Sequence, residues 1–203
     1  KLEIMLGIID YGCGNIKSLS NALEAIGQKH SIINNHKLLK KFNKIIIPGV
    51  GSYSNAIKKL KKKYFFDEIK NFANNKPILG ICVGMQILSD SGYEEEFTGG
   101  LKLISGIVDK IEKKSKISHV GWNNLNISKK KNLFSNIMQN SDFYFVHSFA
   151  FKPTSSKVIT STISYNKKTI VSSIESGSIF GVQFHPEKSH KNGLKILKNF
   201  CKL

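Results

Sequence analysis

The sequence predicts an α/β domain: a mostly parallel central sheet flanked by helices, with antiparallel additions. Three observations carry this. Short, wholly apolar runs in the first half alternate with stretches of helical period, those runs end in glycine-rich corners, and the second half changes to short β-type runs parted by polar or glycine turns. A length of 203 residues with 40% hydrophobic content suits one domain, residues 1–203, with a full core.

The run from Ile4 to Ile9 reads as a strand and ends in Asp10-Tyr11-Gly12-Cys13-Gly14-Asn15. Ile16, Leu19, Leu23 and Ile26 then recur at helical spacing, with Gly27 as the stop. Ser31-Ile32-Ile33 and Ile45-Ile46-Ile47 read as further strands, the second leaving through Pro48-Gly49-Val50-Gly51-Ser52. A lysine-rich helix follows, in which Lys58 to Lys63 reads as a solvated face. Pro77 to Ile81 is another short buried strand, and Val83 to Leu88 has the composition to begin a helix directly after it. Ile104–Ile111, Phe143–Val146, Lys157–Ile163, Thr169–Ile174 and Ile179–Phe184 are the expected antiparallel additions. Leu194, Leu197 and Phe200, with Ile196 and Cys201 beside them, make a closing amphipathic helix.

The composition narrows the functions available. The formal charge is +17, and all 31 basic residues are lysine. Arginine, the usual residue for bidentate base and phosphate recognition, is absent, so the excess reads as a compositional bias rather than a nucleic-acid surface. No apolar run approaches the ~20 residues that span a bilayer, and the first residues lack the pattern of a signal peptide, so a soluble, cytoplasmic chain is expected. Cys13, Cys82 and Cys201 are an odd, widely spaced set with no CxxC pair; neither a disulfide framework nor a zinc site is suggested.

Cys82 stands between Gly80 and Gly84 in "LGICVGMQ", at a strand-to-helix corner. Such a corner needs flanking glycines because neighbouring side chains would collide, as in the G-x-S-x-G elbow. A thiol there faces unpaired N–H groups and the positive end of a helix dipole, both of which favour thiolate. The elbow also aims the Val83 N–H at an oxyanion formed by attack on a carbonyl. Taken alone, the octapeptide fits a small buried cysteine in a tight turn equally well.

A second stretch, Gly181 to Glu187, decides between them. Proline pushes His185 into an extended conformation, so His185 and Glu187 project to the same side. A carboxylate beside an imidazole fixes its tautomer and leaves the other nitrogen to take a proton from a thiol. Cys82, His185 and Glu187 thus form a nucleophile, base and orienter set. The Pro48-Gly49-Val50-Gly51 loop adds glycines that can turn backbone N–H groups toward a ligand, although the tetrapeptide alone also fits an ordinary turn.

In "PGVGSY", "GICVGMQ" and "GVQFHPE", taken in that order and spacing, the chain resembles the class I, triad-type glutamine amidotransferases. "IIDYGCGNIKSL", "HVGWN", "YFVHSF" and "FHPEKS" are similar to the branch of that family that serves imidazole glycerol phosphate synthase, and the likeness covers essentially the whole chain. The resemblance implies a flavodoxin-like α/β fold, with Cys82 as nucleophile, His185 as base and Glu187 as orienter. It also implies oxyanion donors at Val83 and the Val50-Gly51 pair, and glutamine held by Gln86, by backbone around His147, Ser148 and Phe149, and by Glu94, with Glu95 and Glu96 as neighbours that a shifted alignment would exchange for it.

The reaction implied is hydrolysis of glutamine to glutamate and ammonia, without metal or cofactor. Ammonia would pass into a (β/α)8-barrel cyclase subunit that makes imidazole glycerol phosphate and AICAR, the oxyanion loop being misoriented until partner and nucleotide bind. Trp122 and Lys188 are expected on the partner-facing surface, although a core or groove tryptophan is as good a reading of Trp122. Val83 stands where leucine is commoner in the family, and Cys13 has no role in its pattern.

Three rival readings stay open. A paralogous subunit could deliver ammonia for acetamidino-sugar synthesis, and the short motifs serve both pathways. A γ-glutamyl hydrolase would share the fold, but Gln86 and the "HSF" stretch match a site for free glutamine. A nucleic-acid-binding protein would account for the charge but not for three motifs converging on one thiol.

Overall fold

The computed structural model describes residues 5–111 and 119–203. Its first half alternates β1 (Leu6–Ile9), α1 (Ile16–Ala25), β2 (His30–Ile33), β3 (Lys44–Ile47), α2 (Tyr53–Lys62), α3 (Phe65–Ala73) and β4 (Ile78–Ile81). The strand expected from Ile4 runs from Leu6, and Ile4 itself lies outside the described residues. Asn15 caps α1 by accepting a hydrogen bond from the Ser18 N–H at 3.2 Å, and Gly27 (φ +71°) ends it. In α2, Ala56, Ile57 and Leu60 are buried while Lys58, Lys61 and Lys62 face solvent, as the spacing predicts.

The second half comprises α4 (Val83–Gln86), β5 (Ser91–Gly92), β6 (Thr98–Gly99), β7 (Gly106–Lys110), β8 (His119–Asn124), β9 (Asn126–Ile127), β10 (Asp142–His147) and β11 (Phe149–Pro153). The chain closes with β12 (Ile159–Tyr165), β13 (Lys168–Ser176), β14 (Ile179–Val182) and α5 (His190–Lys202).

The central sheet has the order β2-β1-β3-β4-β14-β13-β12-β9. Its pairings from β2 through β14 are parallel, and those from β14 to β9 are antiparallel. Strands β1, β3, β4 and β14 are buried along their whole length, the mark of a sheet covered on both faces. The last strand, β14, returns to the middle of the sheet, pairing Gly181 with Gly80 and Val182 with Ile81 of β4.

Two of the expected additions belong elsewhere. β7 lies in a separate four-stranded sheet with β11, β5 and β6, and β10 forms a two-stranded ribbon with β8. Both alternate buried and more exposed residues, so neither could sit in the interior of a sheet covered on both faces. Together they wall the space above the carboxyl ends of β3, β4 and β14.

Candidate active site

The carboxyl ends of parallel strands are where α/β sheets bind ligands, and the predicted residues converge there. Cys82, His185 and Lys188, the loop and elbow residues Val50, Gly51 and Val83, and Gln86, Glu94, His147, Ser148 and Phe149, the residues expected to hold glutamine, line one cavity of about 170 Å³. That volume is below the ~300 Å³ of drug-sized pockets and suits an amino-acid-sized ligand. A larger groove of about 580 Å³, between Met5, Glu24, Gln28 and His30, lies at the amino ends of β1 and β2. None of its described lining residues is a cysteine.

Cys82 holds the corner in a strained conformation, φ +54° and ψ −114°. A Cβ on Gly80 would lie 2.4 Å from the Gly84 carbonyl oxygen, and one on Gly84 would lie 1.9 Å from that of Ile47. The two glycines are therefore required by backbone packed against backbone. The helix after the corner is a single turn, Val83–Gln86, so the dipole argument from sequence has little to act through. The sulfur's polar neighbours are instead the Val146 carbonyl at 3.8 Å, the Gln183 side-chain amide at 3.7 Å and the His185 ring.

His185 is extended, φ −96° and ψ 97°, as Pro186 demands. Its Nδ1 lies 2.8 Å from Glu187 Oε1, and both side chains are about 95% buried. Nδ1 being engaged, Nε2 is the nitrogen that faces the sulfur. Burial works against charge on His185, but hydrogen bonds and charge from Cys82 and Glu187 outweigh it and carry the imidazole up to about 10. Glu187 Oε2 is buried without a hydrogen-bond partner, so Oε1 alone holds the ring. Ser189 ties the segment down: its hydroxyl donates to the His185 carbonyl at 2.6 Å and accepts the Tyr144 N–H at 3.0 Å.

The walls are fixed as firmly. The Tyr11 hydroxyl donates to the Pro48 carbonyl at 2.8 Å and anchors the Val50-Gly51 loop. Glu94 accepts the Tyr53 N–H at 2.8 Å, Glu95 accepts the Ser54 hydroxyl, and Glu96 pairs with Lys58. Of the three, Glu94 lines the cavity, and burial raises its carboxyl above the usual range. His147 Nδ1 donates to the Phe149 carbonyl at 2.8 Å, which leaves its Nε2 to accept from His119 Nδ1 at 3.1 Å. Burial pushes His147 down to about 4, so it stays neutral and keeps this tautomer at ordinary pH.

Trp122 stands apart from the cavity. It is 47% exposed on β8, stacked on His190 at 4.9 Å and edge-on to Tyr144 at 5.8 Å. The Lys188 ammonium lies 5.8 Å from the Tyr144 ring centre, so Tyr144 joins the cavity lip to the Trp122 surface. Sequence reasoning missed Gln183, His119, Tyr11 and Ser189. Each sits inside a quoted motif, but only the fold reveals which atoms they meet.

The family "Glutamine amidotransferase class-I" matches residues 7–203. Over 203 residues, 98% of this chain and 100% of the relative, the chain is 44% identical to "Imidazole glycerol phosphate synthase subunit HisH 1" of Campylobacter jejuni subsp. jejuni serotype O:23/36 (strain 81-176). It is 42% identical to "Imidazole glycerol phosphate synthase subunit HisH" of Pelagibacter ubique (strain HTCC1062), covering 97% of this chain and 98% of the relative. In fold it is similar to a chain in the structure of PurLQS from Thermotoga maritima, with a TM-score of 0.77 and 20% identity over 99% of both chains. The chain belongs to the class-I glutamine amidotransferase family.

Proposed function

We propose that this chain is the glutaminase subunit of imidazole glycerol phosphate synthase: it hydrolyses free glutamine and passes the ammonia to a (β/α)8-barrel cyclase subunit, which makes imidazole glycerol phosphate and AICAR in histidine biosynthesis. The observation that carries the chemical half is a strained, buried Cys82 beside an imidazole held by a buried carboxylate. The full-length likeness to HisH subunits supports the pathway and the partner.

In this reading the thiol proton resides on His185 Nε2, and the Cys82 sulfur attacks the δ-carbonyl of glutamine. The S–C bond forms as the carbonyl electron pair moves to oxygen, where N–H groups of Val83 and the Val50-Gly51 loop receive it. The C–N bond then breaks, and the nitrogen leaves as ammonia with the His185 proton. Water adds to the thioester, giving a proton to His185, and glutamate departs as the electron pair returns to sulfur. Glu187 keeps the ring in one tautomer throughout. Glu94 is the counter-charge for the α-ammonium of glutamine, and Gln86 with the 147–149 backbone holds the rest.

Trp122, Tyr144 and Lys188 form the surface that meets the cyclase, and the enzyme works in the cytoplasm. Glutamate release by the chain alone and with a cognate cyclase plus nucleotide ligand tests the proposal. Stimulation of about 10-fold or more by the partner, absent in Cys82→Ala, supports it. No stimulation, or failure to rescue a histidine auxotroph lacking this subunit, overturns the pathway assignment in favour of the acetamidino-sugar paralogue.

A further inference from the structure

We propose that Gln183 is a catalytic residue, whose side-chain N–H holds the Cys82 sulfur whenever it carries charge, both before attack and as it leaves the thioester. The assignment rests on the glutaminase reading above. Gln183 is fully buried two residues before His185, and its Nε2 lies 3.7 Å from Cys82 Sγ.

The direction of that amide is fixed by a chain of hydrogen bonds beginning at a group that can only accept. The Phe149 carbonyl takes a hydrogen from Gln86 Nε2 at 3.0 Å, and Gln86 Nε2 gives its other hydrogen to Gln183 Oε1 at 3.0 Å. Turning Gln183 over would set its NH2 against the Gln86 NH2. Turning both over would set the Gln86 oxygen against the Phe149 carbonyl. Each alternative places like against like in a buried site, so the Gln183 NH2 must face sulfur.

The sulfur thus sits between a partner that only accepts, the Val146 carbonyl at 3.8 Å, and one that here only donates. A neutral thiol can satisfy the first; a thiolate can use only the second. Once the S–C bond forms, the electron pair is shared with carbon and the Gln183 hydrogen bond weakens. When water adds and the S–C bond breaks, the pair returns to sulfur and the hydrogen bond strengthens, so it is strongest where charge develops in thioester hydrolysis. The same chain makes Gln86, which lines the cavity, report its state to the nucleophile.

The test is the rate at which iodoacetamide alkylates Cys82 at neutral pH in the full chain, read by mass on the Cys82 peptide. Gln183→Met, which keeps the length and removes the donor, should slow it about 10-fold or more. Gln183→Glu, nearly isosteric, should slow it further by placing a carboxylate against sulfur. With the cyclase present, both should lower kcat for glutamine; Gln183→Glu, which keeps an oxygen for Gln86, should leave KM within about twofold, whereas Gln183→Met also frees Gln86 and can raise KM.

A purely structural amide would lower the melting temperature while leaving alkylation of the folded protein within about twofold, and that result overturns the proposal. Should Gln183→Met not fold, Gln183→Glu decides alone. Alkylation needs neither glutamine nor partner, so an unsubstituted chain that is alkylated normally yet releases no glutamate even with the cyclase and nucleotide ligand defeats the glutaminase reading separately.

Discussion

Two of the three thiols stand in the same setting and are built for different ends. Cys13 and Cys82 each follow a fully buried parallel strand, precede a helix and lie between two glycines. At Cys13 the glycines themselves take the unusual backbone, φ +90° at Gly12 and +143° at Gly14; at Cys82 the cysteine takes it, φ +54°. Burial raises the Cys13 thiol above its ordinary range despite Lys59 beside it, and among the described residues its side-chain neighbours are Asn55 and lysines rather than a histidine. Cys82 has His185, backed by Glu187. A glycine frame makes room for a thiol at both places; at Cys82 an imidazole held by a carboxylate also stands beside the sulfur.

The largest effect separates the two sulfurs. Cys82→Ala should lower partner-stimulated glutamate release by more than about a thousandfold. Cys13→Ala should leave it within about threefold; a comparable loss there would break the comparison. The next effect separates the two kinds of glycine, read by denaturant unfolding. Gly84→Ala drives a Cβ into the Ile47 carbonyl and should cost about 3 kcal/mol or more. Gly12→Ala meets nothing closer than 3.7 Å and should cost only the backbone term, about 1–2 kcal/mol.

The smallest is a pH dependence. Because folding raises His185 from 6.5 to about 10, its contribution is full below about 6.5 and lost as pH rises through about 10. The unsubstituted chain should therefore lose more melting temperature between pH 7 and 10 than Glu187→Gln does. The lysines titrate in both proteins and cancel. Equal slopes would mean that His185 is not held charged.

The same contrast explains what could be read in advance. The parallel half was legible because β1, the Ile45-Ile46-Ile47 stretch of β3 and β4 are short, wholly apolar runs and their exits carry glycine. The local conformations at Cys82 and at His185 with Glu187 were legible because glycine and proline constrain the backbone there, whereas their meeting depends on β14 pairing with β4. The membership of β7 and β10 in separate sheets was not, since a strand's partners depend on register with segments far away. Gln183 was hidden for a similar reason. A polar residue at a strand end looks like an exit to solvent until the structure shows it buried against Gln86 and Cys82.

The return of β14 to the middle of the sheet has a consequence for biogenesis. Gln183 and Cys82 are 101 residues apart in sequence, yet they touch because β14 is inserted between β4 and β13, which precede it in the chain. Loops of that span close late, after local hairpins and helices have formed. A chain emerging from the ribosome therefore carries its thiol for half its length before the base exists beside it. Competence to hydrolyse should arrive only with the final strand, so a partly made or C-terminally truncated chain releases no ammonia.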